Sequence, residues 1–169
     1  MHSTAFIALG ANLGNPLEQC QKALQEIKKI PHTQYIACSS FYKTEPLVPK
    51  GDNPQIVAWY INAVCQIQTE LKPLDLLKSL RSIEEKMGRH RLKKWESRLI
   101  DLDLLAYDNE VMQTKDLILP HPEIQNRSFV LEPLSEIEPH WTHPVSNQSV
   151  SEMIRALKNP LRIEKISGM

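Results

Sequence analysis

From Val57 to Thr69 the chain alternates, with Ile61, Ala63, Cys65 and Ile67 on one parity and Asn62, Val64, Gln66 and Gln68 on the other. Successive side chains of a strand point to opposite faces, so this run reads as a long strand with one face on a core. Two other segments supply what lies on that face. Leu17, Cys20, Leu24 and Ile27 recur at helical spacing behind a start signal of Asn15, Pro16 and Glu18, a capping residue, a proline at the first helical position and a reciprocal acid. Leu76, Leu80, Ile83 and Met87 form a second stripe, opened by Pro73 and closed by Gly88, the residue that most easily leaves a helix.

Three more strands complete the set: Thr4 to Leu9, Tyr35 to Tyr42, and Leu99 to Tyr107, the last turning at Asp108-Asn109 into a hairpin with Glu110 to Met112. Beyond them come a Pro120-His121-Pro122 loop, a short helix near Phe129 to Leu134, and a last helix capped by Ser149 with Glu152. The order β-α-β-β-α-β plus a C-terminal extension predicts an α+β, ferredoxin-like fold: an antiparallel sheet with helices on one face. With no repeat or linker visible, 1–169 reads as one domain, a size that buries a real core.

Bulk properties narrow the function. Twenty basic and 20 acidic side chains cancel, which gives no support to a nucleic-acid or membrane-surface role. No run approaches the roughly 18 apolar residues of a bilayer span, and Met1 to Phe6 lacks a signal peptide's basic and apolar regions. Cys20, Cys38 and Cys65 are isolated within apolar patterns, and read as small buried hydrophobes in a reducing compartment. The cytoplasm is the expected location.

The sharpest chemical feature is Ile100-Asp101-Leu102-Asp103-Leu104. Alternation puts both aspartates on one strand face, about 7 Å apart from the rise per residue, where they repel unless a cation lies between them. Hard carboxylate oxygens favour Mg²⁺, which takes one or two carboxylates plus waters and phosphate oxygens. An edge strand with a solvated acidic face would look the same in isolation. The preceding Arg89 to Arg98 stretch changes the balance, with Arg89, Arg91, Lys93, Lys94 and Arg98 against a single acid, Glu96. A cationic loop feeding a two-carboxylate strand suits a polyanion that also carries a metal, such as a nucleoside triphosphate. Trp95 suits either stacking on a nucleobase or anchoring the loop. His121, between two prolines, suits a phosphate donor or a plain surface histidine. Tyr60 and Asn62 share a strand face, and Phe129 follows Arg127; two aromatics and an amide suit a flat heterocycle, or simply a core. No glycine-rich phosphate cradle is present, and His121, His140 and His143 lack zinc-ligand spacing.

Seven motifs then occur in order: Gly10-x-Asn12-Leu13-Gly14, Ser39-Ser40-Phe41-Tyr42-x-Thr44-x-Pro46-Leu47, Tyr60-x-Asn62-x-Val64, Glu84-x-x-x-Gly88-Arg89-x-Arg91, Arg98-x-x-Asp101-x-Asp103, Pro120-His121-Pro122 and Asn126-Arg127-x-Phe129. From about residue 4 to 140 the chain closely resembles the 6-hydroxymethyl-7,8-dihydropterin pyrophosphokinases of folate biosynthesis. The resemblance implies a monomer that moves the β,γ-pyrophosphoryl group of ATP to the pterin hydroxymethyl and releases AMP. By position, Asp101 and Asp103 would hold two Mg²⁺ ions, and Arg89 and Arg98 would stabilise charge on the transferred group. Glu84, Arg91, Trp95, His121 and Arg127 would belong to the ATP site. Tyr60 and Phe129 would sandwich the pterin, with Asn62 and the Thr44 to Leu47 backbone reading its edge.

The chain departs from the family at Glu96-Ser97, where members often carry Gly-Pro before the arginine matched by Arg98. Its Gly88 to Trp95 loop is one residue shorter than in some members. Thr44 to Gln55 and Arg89 to Ser97 are expected to be mobile alone and ordered by substrates. A metal-dependent nucleotidyl or glycosyl transferase also uses Asp-x-Asp; the first usually pairs it with an upstream Gly-Ser helix start, which is missing. A ferredoxin-like RNA-binding module would need a basic face and exposed aromatics; net charge is zero and aromatics are 6%.

Overall fold

A computed structural model describes residues 2–45, 59–88, 99–158 and 160–166. Its elements are β1 (Ser3–Ala11), α1 (Pro16–Ile27), β2 (Thr33–Cys38), β3 (Tyr42–Thr44), β4 (Tyr60–Thr69), α2 (Pro73–Lys86), β5 (Asp101–Tyr107), β6 (Met112–Gln113), β7 (Ile118–Leu119), α3 (Ser128–Ile137), α4 (Val150–Arg155) and β8 (Ile163–Lys165). The main sheet runs β5-β1-β4-β3-β8, with β2 also on β4, and every pairing in it is antiparallel. Taking β2 and β3 together as the second strand, this is the expected ferredoxin-like arrangement.

The helix starts follow their sequence signals. Asn15 Oδ1 accepts the Glu18 backbone N–H at 3.2 Å and Pro16 opens α1, while Pro73 opens α2. Both helices lie on the sheet face that carries Ile7, Leu9, Ala63, Cys65, Ile67 and Leu102, all buried. Each fully buried Leu or Ile there contributes about 1.5–3 kcal/mol of transfer free energy. Burial pushes the Cys20 thiol up to about 12 and the Cys38 thiol up to about 11. All three cysteines are free.

Three local expectations need correction. The Tyr35 to Tyr42 strand is broken into β2 and β3, successive partners along one edge of β4. At the break Ser39 substitutes its hydroxyl for a backbone acceptor, its Oγ taking the Val64 N–H at 3.0 Å while its own N–H donates to Val64 O at 2.9 Å. The Asp108-Asn109 turn does not make a hairpin with Glu110 to Met112. Asp108, at φ 49°, donates its N–H to Thr4 O and accepts the Thr4 N–H on its carboxylate, so the turn is tied to β1 and Met112–Gln113 pairs with Ile118–Leu119 instead.

Nor do helices occupy only one face. Phe6, Val64 and Ala106 point to the opposite side and are buried against Val130, Leu131 and Leu134 of α3, with Val150 and Met153 of α4 in the same cluster. Among the described residues that second layer covers only part of its face. The register places Asp101, Gly10 and Asn62 in one row across the sheet, and Asp103, Ala8 and Val64 in the next. These rows form the end of the face where the candidate site opens.

Candidate active site

A cavity of 290 Å³ lies on this second face, and seven residues expected at the site line it: Thr44, Tyr60, Asn62, Asp101, Asp103, Arg127 and Phe129. They come from four elements and one helix entry, yet sheet register alone aligns most of them. Cα pairing sets Asp101 opposite Gly10, Gly10 opposite Asn62, and Thr44 opposite Tyr60. Residues paired this way point to the same side of a sheet.

Asn62 is held in one orientation although it is 7% exposed. Its Nδ2 donates to Thr44 Oγ1 at 3.0 Å, and Thr44 is itself 1% exposed. Its Oδ1 lies over Gly10, where a Cβ would come within 2.8 Å. That distance is closer than real Cβ atoms approach, so glycine at position 10 leaves room for the amide. Phe129 lies in the first turn of α3, two residues after Arg127, whose guanidinium carbon sits 5.6 Å from the Phe129 ring centroid, a cation–π contact that keeps both at the cavity wall.

Asp103 also lines a second cavity of 230 Å³ together with Arg81, Lys115, Leu117, Ile118 and His121. The His121 N–H donates to Leu105 O at 2.8 Å, which anchors the Pro-His-Pro loop to β5. His121 Nδ1 accepts the Glu123 N–H at 3.1 Å, so the neutral ring carries its proton on Nε2 and can donate there. Burial lowers its pKa; Asp103 and Glu123 raise it, Arg127 lowers it further, and the net direction is down.

Glu84, matched by sequence to the ATP site, lines neither cavity. Its side chain is fully buried; Oε1 accepts from Arg81 Nη1 at 2.8 Å and Oε2 from the Leu102 N–H at 2.8 Å. Arg81 Nη1 also donates to Leu102 O at 2.9 Å. The pair therefore grips β5 at the residue between the two aspartates. Leu47, Arg89, Arg91, Trp95 and Arg98 lie outside the described residues, as do the two segments expected to order with substrate, apart from Thr44 and Glu45.

Sequence reasoning missed Arg81, Lys115 and Leu161, which also line the two cavities. Arg81 stands three residues before Glu84, the spacing of a helical ion pair, and that was its only visible signal. Among the described residues no group of three or more His, Cys, Asp or Glu converges as a metal cage. Two carboxylates on one face suit Mg²⁺, which leaves most of its positions to water and phosphate oxygens.

The family model described as 7,8-dihydro-6-hydroxymethylpterin-pyrophosphokinase (HPPK) matches residues 6–139. A 2-amino-4-hydroxy-6-hydroxymethyldihydropteridine pyrophosphokinase from Haemophilus influenzae is 45% identical over 152 residues, covering 90% of this chain and 91% of that one. A protein of the same name from Pseudomonas aeruginosa is 39% identical over 144 residues, covering 85% and 86%. The crystal structure of wild-type Plasmodium falciparum HPPK-DHPS superposes with a TM-score of 0.69 at 14% identity. It covers 92% of this chain, which spans only 44% of that one, and the likeness is one of fold.

Proposed function

We infer that this chain, which belongs to the 7,8-dihydro-6-hydroxymethylpterin pyrophosphokinase family, transfers the β,γ-pyrophosphoryl group of ATP to the hydroxymethyl of 6-hydroxymethyl-7,8-dihydropterin. AMP is the other product, and the step belongs to folate biosynthesis. The observation that carries this reading is a single sheet face on which Asp101 and Asp103 border a cavity walled by Tyr60, Asn62 and Phe129. Acceptor and phosphate chemistry thus meet at one pair of carboxylates.

The pterin lies between Tyr60 and Phe129, and the fixed Asn62 amide reads its donor and acceptor edge. The Thr44 to Leu47 backbone supplies further edge contacts. ATP occupies the second cavity, where His121 Nε2–H donates to phosphate oxygens, and its phosphates reach past Asp103 to Arg127 in the first; Arg91 and Trp95 complete the site by sequence position. Arg89 and Arg98 meet charge that develops on the group in transfer, where a guanidinium acts mainly on the rate. Asp101 and Asp103 would hold two Mg²⁺ ions, which would supply positive charge to offset that of the phosphates. Glu84 acts at one remove, fixing β5 through Leu102 so that both carboxylates keep their aim. A loose transition state needs no strong base on the acceptor hydroxyl.

The enzyme works as a monomer in the cytoplasm and as one pyrophosphokinase domain over 1–169; no nucleic acid or membrane is involved. Among the described residues no helix is long and apolar enough to cross a membrane. Calorimetric titration with an ATP analogue, with and without Mg²⁺, followed by pterin, tests the reading. Mg²⁺ should tighten nucleotide binding and nucleotide should in turn tighten pterin binding. Metal-independent binding in the wild type, or none of the pterin, would overturn it.

A further inference from the structure

The family match ends at residue 139, yet the chain returns to the acceptor cavity twenty-two residues later, at Leu161. Leu161 is half-buried and lines that cavity beside Thr44, Glu45 and Phe129. Its position is set from two sides. The Leu161 carbonyl accepts from Ser128 Oγ at 3.4 Å, immediately before Phe129. On the other side, Arg162 N–H donates to Glu45 Oε1 at 2.7 Å, and Glu45 N–H returns to Arg162 O at 3.0 Å.

From there β8 continues along β3, pairing Ile163 with Thr44, Glu164 with Lys43 and Lys165 with Tyr42. The Ile166 N–H closes the run on Phe41 O at 2.9 Å. Arg162 also stacks over Trp59, its guanidinium carbon 5.4 Å from the ring. The C-terminal segment is therefore fastened to both walls of the cavity, and a branched apolar side chain projects from the fastening point.

We propose that Leu161 is a pterin-contacting residue: the C-terminal segment forms a wall of the acceptor site and sets which flat heterocycle fits between Tyr60 and Phe129. This rests on the assignment of that cavity to the pterin. Apolar contact with the face or edge of a bicyclic ring suits a leucine held by its own backbone hydrogen bonds. Polar discrimination remains with Asn62.

The test compares dissociation constants for 6-hydroxymethyl-7,8-dihydropterin and for an ATP analogue with Mg²⁺. Variants are Leu161→Ala, Leu161→Met, Leu161→Trp and Phe129→Ala. Leu161→Ala should weaken the pterin about fivefold, the loss expected for part of a leucine's apolar area, and leave nucleotide affinity within about twofold. Leu161→Met should restore most of it, and Leu161→Trp should block the pterin while the nucleotide still binds.

If Phe129→Ala weakens the pterin but neither Leu161→Ala nor Leu161→Trp does, the wall is wrong and the cavity assignment stands. If Phe129→Ala has no effect either, the cavity assignment itself fails. Equal losses of both ligands with a lowered melting temperature in all three Leu161 variants would mark the residue as purely structural.

Discussion

Gly10 and Asn62 show how narrowly the proposed acceptor site is set. A methyl at position 10 would meet Asn62 Oδ1 at 2.8 Å, and the amide cannot swing away without losing Thr44. Gly10→Ala should therefore raise the pterin dissociation constant about tenfold, with nucleotide affinity nearly unchanged; paired titrations of the two ligands check this. Asp101→Asn or Asp103→Asn should cut turnover by on the order of a hundredfold or more, and Asp103→Asn should do so without lowering the melting temperature, since neighbouring carboxylates repel in the unliganded protein. Near-native turnover at limiting Mg²⁺ would remove the metal assignment. Parity along β5 was enough to place these two aspartates, because a strand offers only two faces. Glu84 was legible as a motif member and not as a buried grip on Leu102, since a helical acid gives no sign of which strand N–H it will meet. Glu84→Ala, which strands that N–H and loosens Arg81, should cost about 2–3 kcal/mol, read from denaturant unfolding.

Elements are fixed by contacts that sequence patterns do not encode. The short β3 is held to α3 by Glu136, whose Oε1 accepts from the Tyr42 hydroxyl at 2.5 Å and whose Oε2 accepts from the Ser40 N–H and Oγ, both at 2.9 Å. Burial alone would raise this carboxyl's pKa, but the hydrogen bonds from Tyr42 and Ser40, with Lys165 nearby, hold it below its usual 4.5. A depressed carboxylate contributes stability that is present above its unfolded value and lost as pH falls through its folded one. The melting-temperature gap between wild type and Glu136→Gln should therefore be widest near pH 7 and shrink below about pH 4.5. A gap unchanged down to pH 3 would mean the charge plays no part. The helix boundaries were legible because Asn15, Pro16, Pro73 and Ser149 act locally; the Ser149 and Glu152 capping box forms as expected. The β2–β3 break and the misplaced hairpin were not, because Ser39 and Asp108 act through distant partners, Val64 and Thr4.

At the scale of the molecule, the two sheet faces divide the labour. Among the described residues, one is sealed by α1 and α2, and the other only where Phe6, Val64 and Ala106 meet α3. The same sheet can thus hold a core and present Asp101, Asp103 and Asn62 on its open rows. The period-2 and period-3.6 patterns made the first layer readable. The second layer depended on a β-bulge between Phe6 and Ile7, opposite Leu105, that reverses the parity of β5, and no composition signal announces a bulge. Which phosphorus is attacked depends on how the triphosphate lies between the two cavities that share Asp103. Chromatography of the nucleotides formed from ATP, Mg²⁺ and 6-hydroxymethyl-7,8-dihydropterin reads that directly. One AMP for each pyrophosphorylated pterin is the expected result, and ADP accompanied by a monophosphorylated pterin would contradict it.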